Sequence, residues 1–112
     1  MEFPNDENGD VLRRMEANGM DFSKEHNFEF FAVLSTEEEA NQIALLYLAD
    51  HKDGDELTSI ETKPHEIGGM TLILEKMMLP TYENITQFEL KLADRVATVE
   101  GYLDGWGVLH GP

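Results

Sequence analysis

Leu57-Thr58-Ser59-Ile60-Glu61-Thr62-Lys63-Pro64-His65-Glu66-Ile67-Gly68-Gly69-Met70-Thr71-Leu72-Ile73-Leu74-Glu75-Lys76-Met77-Met78 is the stretch whose reading decides the fold. Residues 57–63 place Thr58, Ile60 and Thr62 at alternate positions, the pattern of a strand with a polar second side, and Pro64 ends it. Beyond the connection 65–69, residues 70–78 form a second run rich in apolar side chains. Two such runs, joined by a short segment with a glycine pair, most simply make a hairpin.

A helical pattern flanks the hairpin on each side. Upstream, Ser35-Thr36-Glu37-Glu38 reads as a capping box, with the Ser35 hydroxyl accepting from the N–H of Glu38 and the Glu38 carboxylate reaching back. Glu37, Glu38 and Glu39 oppose the positive end of the helix dipole, and Ala40, Ile43, Ala44, Tyr47 and Leu48 supply an apolar stripe. The spacing predicts a helix that stops near His51, before the acidic turn Asp53-Gly54-Asp55-Glu56. Downstream, Pro80, Thr81 and Glu83 open the longest helical pattern, in which Ile85, Phe88, Leu92, Val96 and Val99 recur at three- and four-residue steps. Gly101 falls where a left-handed C-terminal cap is expected.

Further outward, residues 25–34 become aromatic and apolar at both parities, as in a strand buried on both faces, and 102–110 read as a last strand broken by two glycines. A short helix is expected over 9–18, with Asn8 as its cap and Gly19 as its stop. The order is a helix followed by β-α-β-β-α-β. That order predicts an α+β fold of the ferredoxin-like kind, with one antiparallel sheet, two helices on one face, an extra N-terminal helix and a single domain spanning 1–112. Strands 25–34 and 70–78 should be central, in keeping with their apolar character.

Charge narrows the function. The 112 residues hold 8 Lys+Arg and 23 Asp+Glu, a formal net charge of −15, and no cysteine. Counting along the chain, residues 1–56 carry 15 acids and 4 bases (−11) and residues 57–112 carry 8 and 4 (−4). Phosphate backbones are held by clustered Lys and Arg, so direct binding of nucleic acid is disfavoured, and the acidic field suits a basic partner. Without cysteine there is no disulfide framework and no thiol nucleophile. Neither a secretory signal pattern nor an apolar run long enough for a membrane span is present in the sequence, and the expected location is cytoplasmic.

Catalytic patterns are weak. His26, His51, His65 and His110 are scattered and do not form a zinc-ligand spacing. A calcium loop begun at Asp50 places Glu61 at its twelfth position, but Lys52 and Asp55 occupy the third and sixth, where an acceptor and a glycine are needed. Ser23, Ser35 and Ser59 lack a nucleophile-elbow context, and neither glycine cluster matches a phosphate loop. The expectation is a protein that is not an enzyme and needs no cofactor or metal.

Gly101-Tyr102-Leu103-Asp104-Gly105-Trp106-Gly107 holds the only tryptophan. Asp104-Gly105 is suited to a turn or bulge, Gly107 to close backbone approach, and Trp106 either to anchoring the sheet on the long helix or to recognition, since Trp and Tyr are enriched at binding hot spots. This segment resembles the Tyr-Asp-Gly-Trp-Gly ending of the RraB family, regulators of ribonuclease E activity B, with Leu103 between the tyrosine and Asp104. The first helix ending Met15-Glu16-Ala17-Asn18-Gly19-Met20-Asp21 is similar to that family's helix and Gly-x-Asp turn, and the later helices follow in the same order. Better-known members continue into a strongly acidic tail, whereas this sequence stops at Pro112.

The resemblance implies a ferredoxin-like bacterial protein that binds the scaffold region of ribonuclease E without catalysis and lowers its endonuclease activity. The candidate contact residues are Tyr102, Asp104, Gly105, Trp106 and Gly107, together with the acids Glu37, Glu38, Asp53, Asp55 and Glu56. The alternatives are a small-ligand-binding domain on the same sheet and a homodimer formed through an exposed sheet face or edge.

Overall fold

The computed structural model describes residues 3–52, 54 and 57–109, with Lys52 described by its backbone alone. In chain order the elements are α1 (Glu7–Ala17), β1 (His26–Leu34), α2 (Glu37–Lys52), β2 (Ser59–Pro64), β3 (Met70–Met78), α3 (Tyr82–Ala97) and β4 (Tyr102–Val108). The strands form one four-stranded antiparallel sheet in the order β2-β3-β1-β4. With three helices beside it, the class is α+β.

Strand alternation divides the central strands into two sets. Phe28, Phe30, Ala32 and Leu34 of β1 and Leu72, Leu74 and Met78 of β3 point into the core, where Ala40, Ile43 and Tyr47 of α2 and Ile85, Leu92 and Val96 of α3 meet them. Each large side chain taken fully out of water there contributes about 1.5–3 kcal/mol before entropy is counted. Phe30 stacks close to Phe88, with ring centroids 4.2 Å apart. The helices are joined at their solvent edge by Asp50 of α2, whose carboxylate lies 2.9 Å from both Arg95 and Lys91 of α3. The Arg95 guanidinium also covers the Tyr47 ring, 4.4 Å from its centroid. Arg95 and then Lys91 hold the Asp50 carboxyl below its ordinary value.

Helix ends differ from the expected ones by small shifts with clear causes. The cap of α2 is Thr36, whose Oγ1 accepts from the N–H of Glu39 at 3.1 Å, one residue later than the expected Ser35–Glu38 box. The repeated glutamates allow both registers, and β1 runs through Leu34 before the chain turns. The cap of α1 is Asp6, accepting from the N–H of Gly9 at 2.8 Å, while Asn8 lies inside the first turn and is used elsewhere. After α3 the left-handed residue is Glu100 (φ 59), not Gly101. Gly101 is needed for a different reason: a Cβ there would lie 2.4 Å from Leu34 Cδ1 and 3.0 Å from Val33 O.

The β2–β3 hairpin runs from Ser59 opposite Glu75 to Pro64 opposite Met70. His65 N–H closes its turn on the Gly69 carbonyl at 3.0 Å. Proline is accommodated because β2 is an edge strand and Pro64 is its last residue.

Candidate protein-binding surface

β4 carries the Trp-containing motif, and its register sorts the motif onto two faces. Phe31 pairs with Gly105 and Ala32 with Leu103, so Asp104 is an extra residue in a β-bulge, next to Gly105 at φ 110. Such a backbone angle favours glycine strongly. Trp106 lies opposite Phe30 on the helix-covered face, with its ring 6.0 Å from Phe28 and 6.3 Å from Phe30. Its Nε1 donates to Asn8 Oδ1 at 2.9 Å. Asn8 Nδ2 in turn donates to Glu89 and to Thr86 of α3.

That network explains Asn8. It ties α1 to α3 and to β4, and a second tie is made where the Tyr82 hydroxyl donates to the Asp6 carboxylate. The Tyr82 bond, followed by that from Gly9 N–H, holds the Asp6 carboxyl below its ordinary value. Burial pushes Glu89 up, partly offset by the bond from Asn8.

Among the described residues no helix packs on the opposite face of the sheet. Asn27, Glu29, Phe31 and Val33 of β1, Thr71, Ile73 and Glu75 of β3, and Glu61 and Lys63 of β2 alternate onto that side. None of these residues belongs to the core cluster against α2 and α3. Val33 and Ile73 are nearly buried, whereas Tyr102, opposite Val33, is 56% exposed. Glu29 stands directly opposite Glu75, which accepts from Asn27 Nδ2 at 2.9 Å.

The remaining expected contact residues are dispersed. Tyr102, Asp104 and Gly105 are exposed on β4, and Gly107 is partly so. A Cβ added at Gly107 would meet nothing within 4 Å, so the expected close backbone approach is absent there. Glu37 and Glu38 are exposed in the first turn of α2, and Asp53, Asp55 and Glu56 lie outside the described residues. The acids Glu29, Glu61 and Glu75 on the helix-free face were missed by motif reading. The alternating positions 27, 29, 31 and 33 of β1 carried a signal for that face, but only the cross-strand register brings its acids together.

Concavities are open rather than enclosed. One cleft of about 450 Å³ lies beside the end of α1 and is lined by Met15, Met20, His26 and Leu109 among others. Another of similar size borders Lys76, Met78 and Phe88. Among the described residues no three His, Asp or Glu side chains are grouped so as to hold a metal ion, and no helix is long and apolar enough to cross a membrane.

Comparison with curated proteins finds none that matches. The family model described as "Regulator of ribonuclease activity B" matches residues 5–108. That match takes in every helix and strand from α1 to β4, including the bulged Trp-bearing strand. The chain therefore belongs to the RraB family.

Proposed function

We propose that this chain is a non-catalytic acidic module that binds the scaffold region of ribonuclease E and lowers its endonuclease activity, thereby modulating RNA decay. The observation that carries this reading is the family match over residues 5–108 to a regulator of ribonuclease activity. Two further features support it. The net charge of −15 favours encounter with a basic polypeptide and opposes direct binding of RNA. The helix-free sheet face and the exposed Tyr102, Asp104 and Gly105 offer a protein-sized surface rather than a small-molecule pocket.

On this reading the four strands, in the order β2-β3-β1-β4, belong to a ferredoxin-like domain spanning 1–112, working in the bacterial cytoplasm without a cofactor. Tyr102, Asp104, Gly105 and Gly107 belong to the contact surface, with Trp106 positioning them from behind. Glu37 and Glu38, with Asp53, Asp55 and Glu56, add to the acidic field that steers a basic partner.

The test is a cleavage assay with ribonuclease E that either retains or lacks its scaffold region. Cleavage should slow on adding this protein only when the scaffold region is present. Capture of a scaffold fragment should succeed at about 0.1 M salt and fail near 1 M, where screening acts over only about 3 Å. Equal cleavage rates with and without the folded protein would refute the inhibitor reading.

A further inference from the structure

On the helix-free face, β4 contributes two glycines, Gly105 opposite Phe31 and Gly107 opposite Glu29. A Cβ at either would meet nothing within 4 Å. Gly105 is explained by its positive φ, but Gly107 has neither a positive φ nor a crowding neighbour. Glycine inside a strand weakens it, so the fold gains nothing from Gly107. What the residue does is leave bare backbone beside Phe31 and Glu29. The second cost to the fold on this face is the cross-strand pair Glu29–Glu75, two like charges directly opposite, with Glu61 diagonal to Glu75.

Both costs are recovered by one kind of ligand. We infer that the helix-free sheet face, along the Gly105–Gly107 strip, docks an extended basic polypeptide that places cationic side chains on Glu29, Glu61 and Glu75 and an apolar side chain on Phe31. The claim rests on the proposed function and names the surface that would perform it. A nucleic acid would bring phosphates onto carboxylates. A second copy would set Glu29, Glu61 and Glu75 against a face that offers the same three acids beside the single lysine Lys63 among the described residues. A metal ion does not suit the spacing, since no three carboxylates among the described residues group tightly enough to hold one. Separate cations carried along a chain fit three separated carboxylates, and a backbone free of side chains lets such a chain approach closely.

The experiment measures, by calorimetry at low salt, the binding of a ribonuclease E scaffold fragment and of a deca-arginine peptide, and in parallel the melting temperature. Gly107→Val should leave the fold intact or raise its melting temperature and weaken binding about tenfold. The isosteric pair Glu29→Gln/Glu75→Gln should do the same by removing the like-charge opposition and the docking charges together, and it carries the test if Gly107→Val misfolds. The control Glu83→Gln/Asp94→Asn alters the charge by the same amount on exposed positions of α3 and should change affinity less than about twofold. Wild-type affinity in the open-face variants, or an equal loss in the α3 control, overturns the inference. If wild-type protein ignores the scaffold fragment but binds deca-arginine through Glu29 and Glu75, the surface stands and the ribonuclease E reading falls.

Discussion

The two faces of the sheet are made by the same strands, often by adjacent residues, and they follow opposite rules. Phe30 faces the helices and is 1% exposed, locked between Phe88 and Trp106; its neighbour Phe31 faces the other way and is half-buried. On the covered side, Asp50, Arg95 and Lys91 are paired at the helix edge, and Glu89 is hydrogen-bonded by Asn8. On the open face glutamates stand opposite each other and glycines replace side chains. The covered face gains most of its stability from packing, whereas the open face sets like charges opposite each other and spares side chains, features that cost stability and suit a surface kept for contact.

The contrast predicts unequal responses to matched changes. Phe30→Ala should destabilise by about 3–5 kcal/mol in chemical denaturation, because it empties a filled site. Phe31→Ala, one residue away, should cost no more than about 1–2 kcal/mol, in proportion to its smaller burial. Equal losses would erase the distinction between the faces. Next in size is Trp106→Phe, which keeps most of the ring packing but leaves Asn8 Oδ1 without its donor. A loss of about 1–2 kcal/mol is expected, and none if Asn8 Oδ1 is as well served by solvent.

The ion pair at the helix edge gives a pH signature. Because the folded-state pKa of Asp50 is lowered, its stabilisation is complete above the unfolded value of about 3.9 and drains as pH falls through the lower folded value. Asp50→Asn should therefore lower stability at pH 7, by up to about 1 kcal/mol as for partly exposed ion pairs, a difference that vanishes in strong acid. A constant difference across pH would show that packing, not charge, is responsible. Glu89 has the opposite sign: burial raises its pKa, so its ionised form costs stability once pH rises through the folded value. Glu89→Gln should stabilise by less than about 1 kcal/mol at pH 7 and by nothing below about 4.3, where both states are protonated.

How much of this was legible in the sequence follows from the range of the interactions. β3 is bounded by Gly68-Gly69 and Pro80, and its limits at Met70 and Met78 follow from those local signals. The caps of α1 and α2 are off by one or two residues because Asp6 and Asn8, or Ser35 and Thr36, have equal local chemistry. Glu100 taking the left-handed turn in place of Gly101 could not be read, since it depends on Leu34 closing against Gly101 across the sheet. The family signature was legible because it is contiguous. The docking face was not, because Glu29 and Glu75 meet only through a register between residues 46 positions apart, and Asn8 finds Trp106 across 98 positions.

The bulge at Asp104 also governs what lengths of chain the last strand tolerates. Leu103 and Trp106 are three residues apart yet face the same side, an arrangement that ordinary alternation forbids and the one extra residue permits. Removing Asp104 would leave them two positions apart, which ordinary alternation also places on one side, so β4 should absorb that deletion by losing its bulge while Leu103 and Trp106 stay on the helix-covered face. In a lineage of such proteins, the segment between residues 103 and 106 is where a one-residue change of length would be taken up by the bulge rather than passed on to the core.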